Sequence, residues 1–573
     1  MVIRFFLIFA LIITPLLLKS QDKVITFRGQ ILDSKTSDPI PFANLRLNNF
    51  NYGTSTNLEG RFELKLTRDR FSGDNLLSIS CIGYKTLLLK LLGVDPLSYQ
   101  TIKLVPDENA LDDVIVRSSR AARRENNQAK TIVMDAISSI PSNRAKSSYL
   151  AKTFYRHYCK EGDDYVRLTE AAIDLRQFKG KGTFVQIPEQ RLQFGLQQMR
   201  RSFDYTKFAK LSHPPISLNF LISNDLMNYE FHNPIRRKLD SYQFIIDDTT
   251  SYDSEAIIVI EFEPKDEKQF SLNYSGKLYI NLTNKAIIRA DIKETRSYSN
   301  RLDSISSVVD KQVFYQKIGY RYYPQRMISD VAATHFSVNT EGKMTNPVIH
   351  QSHVELLVND IKTKSKVQFS AGEPSEEELR NINYDSLFWK SYTVLEATPL
   401  EQKIIDDLSK KVKLNKQFEA INRLKEGVKT IVENTKFQQA LTDMEEIPVY
   451  TVLWAKWSIP NFYDLIPSPY LRKMIKKGKV KLLMVSLDEN EQDWLTNREI
   501  YGFDKPYIAH KRVPLGFGDE IVMEFYKSIV PDFLMLNNSR EIVDHSPPLP
   551  SEIDVKAYYQ YLLKHQSVET PSR

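Results

Sequence analysis

Cysteine is nearly absent: Cys81 and Cys159 are the two that 573 residues contain. So few exclude a disulfide-stapled scaffold, and the chain must be stabilised by burying a core. The two fall in segments that read as different domains. A disulfide between them requires an oxidising compartment, and two free buried thiols are the other reading. Neither sits in a metal-type spacing or a reactive motif, which argues against a redox role for either. A strong charge of one sign is also missing. The net charge of +7 is mild over this length and gives no argument for a nucleic-acid partner. After the N-terminus there is no long apolar run, so no integral membrane span is expected in the mature chain.

The apolar run that does occur is Phe5 to Leu18. Arg4 gives it a basic start, and Lys19-Ser20-Gln21 ends it with a small residue at a plausible cleavage point. Residues 1–21 therefore read as a secretory signal peptide. An uncleaved anchor is the alternative, but the run is short for a transmembrane helix. No cysteine follows it, which excludes a lipoprotein anchor. The length predicts about three domains. The fold class expected is multidomain α+β.

Residues 22–106 read as a β-sandwich. Ile25, Phe27 and Ile31 fall in one strand with Gly29, and Ala43 to Leu47 form a second. Phe62, Leu64 and Leu66 alternate with charged residues after the turn-rich Gly53 to Gly60, and Leu77 to Lys85 form another strand. Gly29-x-Ile31-x-Asp33, Pro39 to Leu45, Gly53 to Leu64 and Ile82-Gly83-Tyr84-Lys85 closely resemble the carboxypeptidase-regulatory-like (transthyretin-like) sandwich. That module is found in many exported Gram-negative envelope proteins. The resemblance implies scaffolding or partner contact, since no zinc-peptidase motif follows. Residues 107–127 read as a solvated linker, although Leu111 to Val116 resembles the segment after this module in TonB-dependent receptors. A receptor barrel is rejected because the rest of the chain has too few alternating strands.

Residues 128–370 read as a mixed domain with a large antiparallel sheet. Ile132, Val133, Ala136 and Ile137 have helical spacing, and alternating runs fill 240–365. Gly276 to Asn281 and Ala286 to Arg289 read as a hairpin of a curved sheet. Similar sheets in periplasmic lipoprotein carriers hold acyl chains, so either a hydrophobic ligand or a helix fills the concavity. The succession Ala136-Ile137 with Ile140-Pro141-x-Asn143, then Phe154-Tyr155-Arg156, then Glu170-Ala171-Ala172-Ile173 resembles a family of uncharacterised exported proteins, without naming an activity. His350 and His353 are three apart in strand-like sequence, which sends their rings to opposite faces. They and His157 read as ordinary residues, and no metal or cofactor is expected. Residues 371–436 read as a helical connector, extending to a long arm.

Residues 437–573 carry the most informative stretch. Tyr450 to Leu453 is a strand-like run, followed by Trp454-Ala455-Lys456-Trp457-Ser458-Ile459-Pro460-Asn461. It resembles the active-site turn of exported thioredoxin-like proteins of the TlpA/ResA type, W-A-x-W-C-x-P-C. Ser458 and Asn461 stand at the two cysteine positions. Val480 to Asp488 and Ile529 to Val543 resemble two further segments of that family, and the resemblance implies a cis bond before Pro531. It also implies a thioredoxin-like α/β domain. Thiol–disulfide exchange needs an attacking thiolate and a resolving thiol, and a hydroxyl and an amide supply neither. The candidate site is therefore a binding surface at Trp457, Ser458, Asn461 and Pro531, with no catalytic residue assigned. Thioredoxin folds bind extended peptides beside that proline by backbone pairing. The expected function is a non-catalytic exported envelope protein, periplasmic or outer-membrane associated, that binds an envelope protein or peptide. The alternatives are an enzyme using Ser458 with His510 or His545, and a carrier of a hydrophobic ligand in the central domain.

Overall fold

The computed structural model describes residues 24–550, apart from 49, 68–69, 72–74, 92–93, 97, 108–118, 178–191, 204, 206–217, 223–224, 227–238, 267–271, 300–302, 338–347, 370–381, 383, 397–398, 411, 423–446, 456–466, 489–490, 501–502, 507, 514–531, 538–541, 545–546 and 548. These residues are mostly strand with few helices, arranged in several sheets.

The first seven strands are β1 (Ile25–Asp33), β2 (Asn44–Leu47), β3 (Gly53–Ser55), β4 (Arg61–Leu66), β5 (Leu76–Ser80), β6 (Leu87–Lys90) and β7 (Gln100–Leu104). They form a three-stranded sheet, β4-β1-β7, and a four-stranded sheet, β3-β2-β5-β6. Phe27, Ile31, Leu45, Leu47, Phe62, Leu64 and Ile79 form one buried core from both sheets. Two motif letters meet here: the Tyr84 hydroxyl donates to Asp33 Oδ2 at 2.9 Å. Gly60 sits at φ +69°, and a Cβ there would lie 2.5 Å from the Ile31 carbonyl oxygen. That carbonyl is held by a hydrogen bond it accepts from Ile40 N at 2.9 Å. Gly60→Ala is expected to cost about 1–3 kcal/mol, read as a lower melting temperature.

The central region begins with helix α1 (Ser119–Asn143), followed by β8 (Tyr149–Glu161), β9 (Asp164–Gln177), β10 (Leu192–Arg201) and the short helix α2 (Leu218–Ile222). Then come β11 (Tyr242–Tyr252), β12 (Glu255–Pro264), β13 (Leu272–Asn281), β14 (Ile287–Ser299), β15 (Asp303–Ile318), β16 (Arg321–Ser337) and β17 (Val348–Lys362). All ten strands join one antiparallel sheet in the order β10-β9-β8-β17-β16-β15-β14-β13-β12-β11. Strands β11 to β17 form a meander, and β17 returns to pair with β8. Side chains alternate across such a sheet, so it has two faces to cover. Ala129, Val133, Ala136 and Ile140 of α1, at helical spacing, cover one face together with Leu218 and Leu221 of α2. A helix therefore packs against the central sheet.

Helices α3 (Ser386–Ser391), α4 (Pro399–Ser409) and α5 (Leu414–Asn422) follow. They lie in the stretch expected to be a helical connector, and its described helices pack against the sheet. Trp389 and Leu395 pack on Phe154, Ala172 and Leu357, and Ile404, Leu408, Leu414 and Phe418 pack on Tyr165 and Leu168. Their apolar residues are buried against the second face of the sheet, so the described helices form a cover. The sandwich docks on the same side. Lys65 Nζ donates to the Trp389 and Tyr392 carbonyls at 3.1 and 2.9 Å, and Arg326 Nη1 donates to the Thr56 carbonyl at 2.7 Å.

The last sheet contains β18 (Val449–Trp454), then helix α6 (Pro469–Lys476), β19 (Lys481–Ser486), helix α7 (Glu491–Ile500), β20 (Ile508–Arg512), β21 (Asp532–Leu536) and β22 (Ile542–Asp544). Its order is β20-β19-β18-β21-β22. Strands β18, β19 and β20 are parallel, and each crossover carries a helix, as parallel pairing requires. Strand β21 runs antiparallel to β18. Ser468 caps α6 by accepting from Leu471 N at 3.1 Å, with Pro469 at the first helical position. Strand β18 is central and buried at all six residues, and the mixed sheet is thioredoxin-like.

Candidate functional site

The four residues singled out in the sequence, Trp457, Ser458, Asn461 and Pro531, lie outside the described residues, as does His545. Their flanks are described. Trp454 and Ala455 close β18, and Asp532 opens β21, where it pairs with Leu453. The fold therefore brings the ends of the two motif segments together at one edge of neighbouring strands. Trp454 is fully buried and meets Phe503 edge-on at 5.4 Å. His510 lies elsewhere, on β20, two strands from β18. Its Nε2 is 3.1 Å from the Phe503 carbonyl oxygen, and burial lowers its pKa, helped by Arg498.

A second constellation, not foreseen as a site, lies on the helix-covered second face of the ten-stranded sheet. The register sets Arg200, Glu170, Arg156 and Glu355 side by side on four adjacent strands. Opposite charges facing across strands attract. Arg156 Nε donates to Glu170 Oε1 at 2.8 Å, and its Nη1 donates to Glu401 Oε1 on α4 at 2.5 Å. Arg200 Nε donates to Glu170 Oε2 at 2.6 Å. Burial opposes the charge on Glu170, but Arg200 and Arg156 outweigh it and hold its carboxyl below the usual range. Glu355 is treated the same way by Arg326 and His353 and falls to about 2. The sequence did contain a signal: Arg156 and Glu170 are letters of the Phe-Tyr-Arg and Glu-Ala-Ala-Ile motifs.

Above this row lies a cavity of about 550 Å³ between the sandwich, the sheet and the helices, within the range of small-molecule sites. Leu168, Leu395, Ile404, Ile405, Leu414 and Phe418 supply apolar wall, and Arg28, Glu63, Tyr99 and Glu396 stand on the sandwich side. Glu63 is engaged by Arg28 at 2.6 Å and by Lys65 at 3.0 Å. Glu396 Oε2 is buried with no hydrogen-bond partner, and desolvation raises its pKa.

The histidines face opposite sides of β17. His353 Nδ1 lies 2.7 Å from Asp330 Oδ1, and its ring stacks on Tyr158 at 4.8 Å. His350 Nδ1 lies 3.2 Å from Glu161 Oε1. Burial opposes both charges. Hydrogen bonds outweigh it, from Asp330 and Glu355 for His353 and from Cys159 and Glu161 for His350, and both rise to about 9. A raised histidine stabilises the fold below its ordinary pKa, and that stabilisation is lost as pH climbs through the folded value. Raising the pH from 6.5 to 9 is therefore expected to cost up to about 3 kcal/mol per histidine. Denaturant melts across this range should show the loss, and His350→Gln/His353→Gln should flatten it.

Both cysteines are free thiols. Burial pushes the Cys81 thiol up to about 12, which leaves it protonated and inert. Cys159 is buried beside His157 Nε2 at 3.5 Å and accepts from Arg167 Nη2 at 3.1 Å.

With the geometry in hand, the chain can be set beside known proteins. Residues 27–116 match the family model of the CarboxypepD_reg-like domain. No curated protein matches the chain. Solved structures are similar over about a fifth of it, among them three that follow. The thioredoxin domain of a thiol-disulfide oxidoreductase from Bacteroides vulgatus is 18% identical, covering 22% of this chain and 84% of that one, with a TM-score of 0.17. A thiol-disulfide oxidoreductase from Bacteroides fragilis is 16% identical, covering 21% and 82%, with a TM-score of 0.17. A thioredoxin-like protein from Parabacteroides distasonis is 15% identical, covering 20% and 80%, with a TM-score of 0.16. Residues 27–116 are thus similar to the CarboxypepD_reg-like domain, and the C-terminal sheet joins a parallel β18-β19-β20 half to an antiparallel β18-β21-β22 half.

Proposed function

We propose that the chain is a non-catalytic protein of the cell envelope, exported to the periplasm or the outer membrane, that binds or positions a protein or peptide partner. Its thioredoxin-like domain is redox-inactive and serves as a binding unit, with Trp457, Ser458, Asn461 and Pro531 at the contact surface. One observation carries this. The strand that delivers the motif is central and buried, while Cys81 and Cys159 both lie outside residues 437–573. The frame is kept where the thiols are not. Among the described residues no helix is long and apolar enough to cross a membrane.

The test is capture of the partner from envelope preparations by tagged full-length chain. The expected partner stays bound in dithiothreitol and is lost with Trp457→Ala. Release by dithiothreitol would indicate a mixed disulfide and overturn the reading. A serine enzyme would instead be labelled by a fluorophosphonate, with labelling lost in Ser458→Ala. A second reading, carriage of a hydrophobic ligand by the central domain, is favoured by the cavity above the charged row.

A further inference from the structure

We infer that the cavity between the sandwich, the ten-stranded sheet and helices α4 and α5 binds a small amphiphile with an apolar tail and one protonated amine, held by Glu396. The inference deepens the carrier reading, because it names what that cavity selects.

The argument is one of matched and unmatched charge. Arginine is abundant on the wall, yet each arginine there is engaged by a carboxylate. Arg28 is held by Glu63, Arg156 by Glu170 and Glu401, and Arg200 by Glu170. A carboxylate or phosphate ligand would have to break one of these pairs to find a cation. Arg156 and Arg200 are held on buried Glu170, and breaking such a pair leaves its other member uncompensated, which is costly; Arg28 is half exposed, but the Glu63 it holds is buried. The opposite sign is less tightly engaged: Arg61 and Arg28 act on Glu396 through space. Glu396 Oε2 is buried and makes no hydrogen bond. Its backbone is fixed, since its carbonyl oxygen accepts from Asn57 Nδ2 at 3.1 Å. An ammonium group there would gain a charge-assisted hydrogen bond, which is stronger than a neutral one.

The rest of the wall fits a tail. Leu168, Leu395, Ile404, Ile405, Leu414 and Phe418 come from the sheet, the 394–396 segment and both helices, and they face one space. An alkyl chain placed there leaves water for an apolar surround. The lining is divided: these apolar residues with Val394 stand beside seven charged side chains and Tyr99, so the apolar part takes the tail and the polar part fixes its orientation.

The experiment is calorimetric titration of the full-length chain with decylamine and decanoate below their micellar concentrations and with decanol below its solubility limit. Decylamine is expected to saturate one site and to bind at least about tenfold more tightly than decanoate or decanol. Glu396→Gln should remove that preference, bringing decylamine to within about twofold of decanol. Ile404→Trp should abolish binding of all three by filling the tail space, with circular dichroism confirming that each variant is folded. Decanol binding with no advantage for the amine overturns the cation preference and leaves the carrier reading standing. No saturable binding of any of the three overturns both. Decylamine binding that survives Glu396→Gln unchanged overturns the assignment of the carboxylate.

Discussion

Glu170→Ala is expected to destabilise the ten-stranded domain by about 3–5 kcal/mol, because it strands two arginines in a buried site. Glu170 sits between Arg156 and Arg200 and accepts from both through separate oxygens. Arg156 is 4% exposed and retains Glu401 as its ion-pair partner, with Glu355 alongside, when Glu170 is lost. Arg200 is partly buried and held over the Trp389 ring at 4.5 Å. Desolvation then acts on charges with too few partners. A buried ion pair is weak evidence for net stability when intact, and removing one member is what costs. Arg200→Met added to Glu170→Ala should therefore recover part of the loss, and a double-mutant cycle would read the coupling. Equal stability of Glu170→Ala and wild type in urea would show that the row is solvated.

Trp454→Ala should cost about 3–5 kcal/mol, the range for emptying a large aromatic site in a core. Trp454 is among the largest fully buried side chains, at 0% exposure. It packs with Val452, Leu482, Met484, Phe503 and Phe533 in the core on one side of the five-stranded sheet. The central strand cannot shift to refill the hole, because it pairs with β19 on one side and β21 on the other. The loss should appear in one unfolding transition and not in all. The core around Trp454 shares no residue with the core under α1, and such proteins seldom unfold as one unit. Calorimetry should show the thioredoxin-like transition moved and the ten-stranded one in place. Movement of every transition together would mean that the sheets unfold as one body.

What could be read from the sequence was what is local. The sandwich was legible because turn chemistry is written in adjacent letters: Gly60 at positive φ, and Asp33 accepting from Lys35 N and Thr36 N. Strand β18 was legible as a short apolar run bounded by a motif. Strands β8 and β9 were quoted as motif letters and not read as strands. They carry Arg156, Arg167, Glu170 and Asp174 at buried positions, so the alternation of apolar and polar residues that marks a half-buried strand is lost on both faces. The helices after residue 385 were legible, but not what they cover, since Trp389 and Phe418 meet residues more than 200 positions earlier. The cavity was invisible for the same reason. Arg28, Glu170, Glu396 and Phe418 are gathered by the fold alone, and no spacing along the chain announces them. The motif residues Trp457, Ser458, Asn461 and Pro531 rest on sequence, with the meeting of β18 and β21 as the structural support.

The most direct measurement is reduction of insulin disulfides in dithiothreitol by the full-length chain, run beside Ser458→Cys/Asn461→Cys at equal concentration. The account predicts that wild type adds nothing to dithiothreitol alone and that the double variant, with both sulfurs restored to the frame, accelerates precipitation. Turnover of insulin by the wild-type chain would contradict it.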